Sequence, residues 1–301
     1  MTNIFSNLPS NVSIVEVGPR DGLQNESTSV PTDIKLQLID KLADSGLMTI
    51  EATSFVSPKW VPQLADASAL LSQLDLNSGI DYPVLTPNMK GYENALQAGA
   101  KKVAVFAAAS ESFAQKNTNC SIAESIERFK PICDAAQKDN VLVRGYVSCV
   151  MGCPYEGNID PAVVVEVSNK LLDLGCYEVS LGDTIGIGNA GMTSQLLDTV
   201  LASISVDKIA AHFHNTYGQA LANLLVALQY GVSTIDASVS GLGGCPYAKG
   251  ASGNVATEDV VYMLDGLGID TGVNLEKLIE AGNFISNYLN RKSQSNISNS
   301  L

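Results

Sequence analysis

The 301-residue chain contains two histidines, His212 and His214, and both stand in the stretch Ile209-Ala-Ala-His-Phe-His-Asn-Thr-Tyr-Gly218. Their spacing has a direct chemical reading. If the apolar run before them is a β-strand, residues i and i+2 share a face, so both imidazoles point the same way, about 6.5 Å apart. Two neutral imidazoles converging on one point form an edge that binds a metal ion. The alternative is a pair of hydrogen-bonded histidines near a strand end. A chain so sparing with histidine that places both at one site favours the metal.

Further candidates follow from residue type. Asp21 stands in Gly18-Pro-Arg-Asp-Gly22 and Asn254 in Ser252-Gly-Asn254. With the two histidines, a carboxylate from Asp21 and the amide oxygen of Asn254 would supply four oxygen and nitrogen ligands and no thiolate. That mixture suits an octahedral Mg²⁺ or Mn²⁺ with two positions open for substrate oxygens. With one carboxylate the site keeps a net charge of about +1, so it can hold and polarise an oxyanion. A structural zinc site closes with four ligands and gives no reason for open positions. Arg20 precedes Asp21, Glu51 lies inside an apolar run, and Asp183 sits in Gly182-Asp183-Thr184. Cys245 lies in Gly241-Leu-Gly-Gly-Cys-Pro-Tyr-Ala-Lys-Gly-Ala-Ser-Gly253, a loop with five glycines able to move over a pocket. Lys249 in that loop favours the thiolate, and a thiol titrating near working pH can donate and accept protons.

Each residue also has a plainer reading. Asp21 could be a turn residue before Gly22. Glu51, Glu16 and Arg144 could form an ion-pair network inside the strands, and Asn254 could be a loop residue only. Cys120, Cys133 and Cys176 read as packed thiols. Cys149 and Cys153 form a Cys-x₃-Cys with no second pair or nearby histidine to finish a zinc site.

These residues need elements to hold them. Period and turn signals predict strands over residues 12–17, 48–55, 82–85, 102–107, 141–148, 177–181, 208–214 and 234–239. Helices are predicted over about 34–45, then 62–74, 88–98, 121–138, 161–174, 192–203, 219–230, 257–267 and 275–289, with a kink or break at Pro131. Eight strand-then-helix units in strict alternation mean a parallel sheet, and in this length they fit a closed (β/α)₈ TIM barrel with additional C-terminal helices. An open doubly wound sheet would place a Gly-x-Gly-x-x-Gly after the first strand, and Gly18-Pro-Arg-Asp-Gly22 is not that motif. The expectation is one domain over 1–301, a short helical extension near 270–290, and a frayed Ser/Asn tail from Ser293. In such a barrel every candidate above falls at the C-terminal ends of strands, where chemistry sits.

Composition limits the partners. With 46% hydrophobic and 16% charged residues a large core is available. A formal charge of −13 argues against sequence-independent nucleic-acid binding and against an anionic membrane surface. No run approaches the ~18 apolar residues of a membrane span. The N-terminus shows no basic and apolar leader, so a cytoplasmic location is expected. Six cysteines in a chain this long do not make a disulfide framework.

Taken together, the motifs resemble the hydroxymethylglutaryl-CoA lyases, within the DRE-type metal-dependent barrel superfamily. The matching segments are Val17-Gly-Pro-Arg-Asp-Gly-Leu-Gln-Asn-Glu26, Glu51-Ala-Thr-Ser-Phe-Val-Ser-Pro-Lys-Trp60, Ser180-Leu-Gly-Asp-Thr-Ile-Gly186, His212-Phe-His-Asn-Thr-Tyr-Gly-Gln219 and residues 241–254. The last is the most specific, because other branches of the superfamily lack this cysteine. Asn215 stands where family members often have Asp; the position follows the ligands without supplying one. The resemblance implies cleavage of 3-hydroxy-3-methylglutaryl-CoA to acetyl-CoA and acetoacetate, with a divalent cation, Mg²⁺ or Mn²⁺, as cofactor. It implies an acyl-CoA thioester as partner. Arg20 would bind substrate and stabilise the departing thioester enolate, and Cys245 would protonate it. His212 would act as ligand and proton-transfer partner, with Glu51 and Asp183 orienting the site or relaying protons. A homodimer is expected from the family and from apolar residues over 275–289 in excess of what a barrel exterior leaves in water. Rival readings are a lyase for a related branched 3-hydroxyglutaryl-CoA, an acyl-CoA-condensing synthase of the same superfamily, and a non-catalytic metal-binding barrel.

Overall fold

A computed structural model describes residues 8–243 and 253–301. Its central sheet contains β1 (Ser13–Glu16), β2 in two short runs (Thr49–Ile50 and Thr53–Ser54), β3 (Val84–Leu85), β4 (Lys102–Ala108) and β5 (Leu142–Ser148), followed by β6 (Val179–Asp183), β7 (Ile209–Phe213) and β8 (Thr234–Ala237). Each pairs with its neighbour in parallel, from β3–β4 round to β8–β1. The two runs of β2 decide the architecture. Thr49–Ile50 pairs with β1, whereas Thr53–Ser54 pairs with β3. One extended segment therefore joins both ends of the sheet, and the barrel closes. Closure leaves no edge strand, and helices cover the outside, so barrel strands are buried on both faces. That is why β6 and β7 are buried at every position, and why β7 reads as a nearly continuous apolar run instead of alternating.

The helices are α1 (Thr32–Asp44), α2 (Ala67–Leu71), α3 (Met89–Gln97), α4 (Glu111–Thr118), α5 (Ile122–Asp139), α6 (Pro161–Asp173), α7 (Ala190–Val200), α8 (Ala220–Gln229), α9 (Thr257–Gly266) and α10 (Leu275–Tyr288). Several begin where the sequence offers a side-chain cap. Asn88, Ser110, Asp160, Asn189 and Asn274 each accept from an orphan N–H of the first turn. Ser121 and Glu124 form a full capping box for α5. No helix among the described residues is long and apolar enough to cross a membrane.

Four local expectations change. The helix predicted over 62–74 is a 3₁₀ turn, Pro62–Leu64, followed by the short α2. An additional helix, α4, follows β4, with Ser110 as its cap. α5 runs unbroken across Pro131. Pro131 and Glu127, whose carbonyl loses its donor, both face solvent, where water can serve that carbonyl. The tail is not frayed. Ser295 is fully buried, and Asp259 on α9 accepts from Ser295 Oγ (2.7 Å), Asn296 N (3.1 Å) and Ile297 N (3.0 Å). A polar tail lacks apolar side chains to bury, but a buried carboxylate gives it an alternative anchor.

The argument for a dimer drawn from α10 also fails. Leu278, Ile285 and Leu289 are buried, α10 packs against α1 and α9, and the Lys41 ammonium covers the Phe284 ring at 5.4 Å. The apolar stripe is used within the chain.

Candidate metal centre and active site

The site is built at the C-terminal end of the barrel. After β1 the chain enters a five-residue π-helical turn, Gly18–Gly22, in which the Arg20, Asp21 and Gly22 amides all donate to the Val17 carbonyl. The turn needs its glycines for space. A Cβ on Gly18 would sit 2.6 Å from Glu16 Oε1, and one on Gly22 would sit 2.6 Å from the Leu242 Cβ. The Gly-Pro-Arg-Asp-Gly motif is thus a device for pressing Arg20 and Asp21 against the barrel mouth. Glu16 braces the turn from below, accepting from Gly18 N (2.8 Å), Val239 N (2.8 Å) and Thr257 Oγ1 (2.6 Å). Burial nevertheless pushes its carboxyl up to about 7.

Across the mouth, His212 ends β7's inward run and His214 follows it. Both are buried, with Nε2 atoms 3.3 Å apart. One ligand atom from each of Asp21, His212 and His214 lies within 4.8 Å of the others. This spacing fits one ion, because two ligands at right angles and about 2.1 Å from a metal lie about 3.0 Å apart. Asn254 is bridged to His214 through the backbone, and its Nδ2 donates to Asp21 Oδ2 (2.8 Å) and to the Leu242 carbonyl (3.2 Å). The four expected ligands therefore meet at one place. Asn254 turns its nitrogen to the carboxylate; turning the amide over would present its oxygen.

Electrostatics prepare the ligands. Burial works to raise the Asp21 carboxyl, but the Arg20 guanidinium and the two imidazoles outweigh it and hold it down to about 2. Burial, helped by neighbouring His212, presses His214 down to about 4, so its ring is neutral and able to ligate at neutral pH.

Arg20 is 6% exposed and forks between two carboxylates. Its Nε and Nη2 reach Glu51 Oε2 at 2.7 and 2.6 Å, and its Nη1 reaches Asp21 Oδ1 at 2.6 Å. Its guanidinium carbon lies 5.6 Å from the Tyr146 ring centroid. Glu51 is fully buried and raised by burial against the pull of Arg20, and its second oxygen, Oε1, has no partner among the described residues. Asp183 closes β6, with Oδ2 accepting from Gly188 N (2.8 Å) and Oδ1 without a partner among the described residues; burial raises it to about 6. Cys245 and Lys249 lie outside the described residues.

The interior ion-pair network is differently composed from the one Glu16, Glu51 and Arg144 suggest. Arg144 pairs with Glu178 (2.7 Å) and Asp236 (2.8 Å), while Glu51 serves Arg20 and Glu16 serves the backbone. Asp236 is the residue that sequence reasoning passes over. Burial opposes its charge, yet Arg144 and His212 hold it well below the usual carboxylate range. A signal was available: an Asp inside the apolar strand Thr234-Ile-Asp-Ala237 is out of keeping with strand preference. Asn215 accepts from Ala220 N at the start of α8 (3.2 Å) and supplies no ligand.

With this geometry in place, comparison with known proteins is specific. The HMGL-like family model matches residues 11–285. The mitochondrial hydroxymethylglutaryl-CoA lyase of Mus musculus is 62% identical over 296 residues, covering 98% of this chain and 91% of the mouse protein. The crystal structure of hydroxymethylglutaryl-CoA lyase from Pseudomonas aeruginosa superposes with a TM-score of 0.96 at 53% identity, covering 98% of each chain. An HMG-CoA lyase from Acinetobacter baumannii, in complex with coenzyme A and 3-methylmalate, gives 0.92 at 37% identity, over 100% of this chain and 97% of that one. The expected cytoplasmic location is overturned, since the mouse and rat relatives are named mitochondrial. The composition of the first residues does not fix a compartment, because the chemistry of the folded barrel does not depend on where it resides. The closed barrel, its ligand cluster and identity across nearly its full length together establish that the chain belongs to the HMGL-like family, with the hydroxymethylglutaryl-CoA lyases.

Proposed function

We propose that the chain cleaves 3-hydroxy-3-methylglutaryl-CoA to acetyl-CoA and acetoacetate with a bound Mg²⁺ or Mn²⁺. The observation that carries this is the convergence of Asp21, His212 and His214 within 4.8 Å, directly beside the Arg20 guanidinium. Asp21, His212, His214 and Asn254 are the residues that would hold the ion. When bound, a divalent cation makes a substrate hydroxyl more acidic and polarises neighbouring oxygens.

The chain's own groups supply the rest. Arg20, held by Glu51, places a fixed positive charge where the thioester enolate develops as the carbon–carbon bond breaks. Asp183 has one oxygen without a hydrogen-bond partner among the described residues and a carboxyl raised by burial to about 6, so it can take the hydroxyl proton and pass it on. Cys245 returns a proton to the enolate carbon, completing acetyl-CoA. Burial of Glu51, Tyr146 and Asp236 keeps water away from the floor of the site.

The test is acetyl-CoA release from a panel of 3-hydroxyacyl-CoA thioesters, with and without chelation. The 3-hydroxy-3-methylglutaryl thioester should turn over best, chelation should abolish the activity, and Mg²⁺ or Mn²⁺ should restore it. A better longer-branched substrate would move the assignment, since one methylene is worth only about 1–3 kcal/mol of discrimination. Full activity in metal-free protein would overturn the mechanism. A homodimer is proposed from the family resemblance alone. Sedimentation at micromolar protein checks it, and a concentration-independent monomer would refute it.

A further inference from the structure

His212 and His214 face the same point, yet their other ring nitrogens differ. His212 Nδ1 lies 3.2 Å from Asp236 Oδ2. His214 Nδ1 is buried with no hydrogen-bond partner among the described residues. Asp236 is 1% exposed and stands beside His212 in the β7–β8 pairing. Three other donors fix its carboxylate: Arg144 Nη2 to Oδ1 at 2.8 Å, Arg144 Nη1 to Oδ2 at 3.0 Å, and Ser180 Oγ to Oδ2 at 2.7 Å. Arg144 is itself anchored through Nε to Glu178 at 2.7 Å and through Nη1 to the Tyr146 hydroxyl at 3.0 Å.

A carboxylate gripped by a guanidinium accepts from its neighbours and has no proton to donate. His212 must then carry its proton on Nδ1, which leaves Nε2 bare and turned toward His214 and Asp21. We infer that Asp236, held by Arg144 and Ser180, is a positioning residue that locks His212 in the Nδ1–H tautomer and aims its Nε2 at the cation site. Carboxylates behind ligating histidines act in this way generally. The inference rests on the metal site proposed above. His214 has no such brace. Its Nε2–H can donate across the 3.3 Å gap to His212 Nε2. One imidazole is thus set by a neighbouring carboxylate and the other, among the described residues, is not.

Two histidines in the whole chain make the test clean. In metal-free protein labelled with ¹⁵N-histidine, and with His214→Gln used for assignment, wild-type His212 should be the Nδ1–H tautomer. Asp236→Asn should turn its amide oxygen to Arg144 and offer Nδ2–H to His212, driving the ring to the Nε2–H form. Mn²⁺ affinity, followed by loss of the free-ion electron paramagnetic resonance signal, should weaken about 10–100-fold. A purely structural Asp236 would lower the melting temperature without changing the tautomer. Wild-type His212 found in the Nε2–H form overturns the inference, even if the variant fails to fold. So does an Asn variant with wild-type tautomer and Mn²⁺ affinity. Wild-type protein that takes up no Mn²⁺ overturns the metal reading itself, and with it the aim assigned to Nε2, whatever the tautomer.

Discussion

Arg20→Gln is expected to retain Mn²⁺ and lose about 10²–10³-fold in kcat, the usual effect of removing one donor aimed at a developing oxyanion. Arg20 is not among the proposed ligands, and Asp21, though it loses its 2.6 Å partner, keeps its hydrogen bond from Asn254. Its loss has a second consequence that a stability measurement can read. Glu51 is fully buried, and Arg20 is its hydrogen-bond partner. Breaking a buried pair by removing one member costs about 3–5 kcal/mol when the charge left behind has no escape. Here it has one, because burial already raises the Glu51 carboxyl and the variant lets it stay protonated. The sign follows. A carboxyl raised above its unfolded value means that the native state holds the extra proton, so stability falls as pH rises past the unfolded value. The variant should therefore melt close to wild type in mild acid and progressively lower toward alkaline pH. Melting curves across pH, with Mn²⁺ titration and turnover, check all three. Wild-type turnover in a folded variant would reduce Arg20 to a partner for Glu51.

Cys245→Ser should lower kcat by about 10²–10⁴-fold, the range that general acid catalysis contributes. A hydroxyl is a far weaker acid than a thiol and gives its proton poorly to an enolate. Metal content and melting temperature should barely move, because Cys245 is not among the proposed ligands. Alkylation should inactivate the enzyme, and bound substrate should slow it. Cys149 and Cys153 make poor controls. Cys149 is fully buried, and Cys153 Sγ accepts from Ser110 Oγ (2.9 Å) and Tyr155 N (3.3 Å) near the end of β5. Cys133 is buried too, but it stands on the outer helix α5, away from the strand ends at the barrel mouth, and is the better comparison. A Cys245→Ser enzyme with wild-type turnover would leave the loop as a lid, with the proton coming from Asp183, His212 or water.

What could be read from the sequence was whatever short-range stereochemistry controls. Period and turn residues gave the order of strands and helices, and the two-residue spacing put both histidines on one face. Gly22 after Asp21 read only as a turn signal; the structure shows that Gly18 and Gly22 leave no room for side chains in the turn that delivers Arg20 and Asp21. Because every strand of a parallel barrel ends at the same mouth, strand-end residues were bound to meet, and Asp21, His212, His214 and Asn254 do. Partner choice inside the barrel was not legible. Asn254 donates to Asp21 across 233 residues of chain, Arg144 to Asp236 across 92, and Asp236 meets His212 across 24. Such pairings depend on which strands are neighbours and how far each is staggered, and a β-strand's own sequence encodes neither. The same limit explains α10, whose apolar stripe looked free for a second subunit. Only the return of the chain past β8 set that stripe against α1, where burying it lowers the free energy of the monomer first.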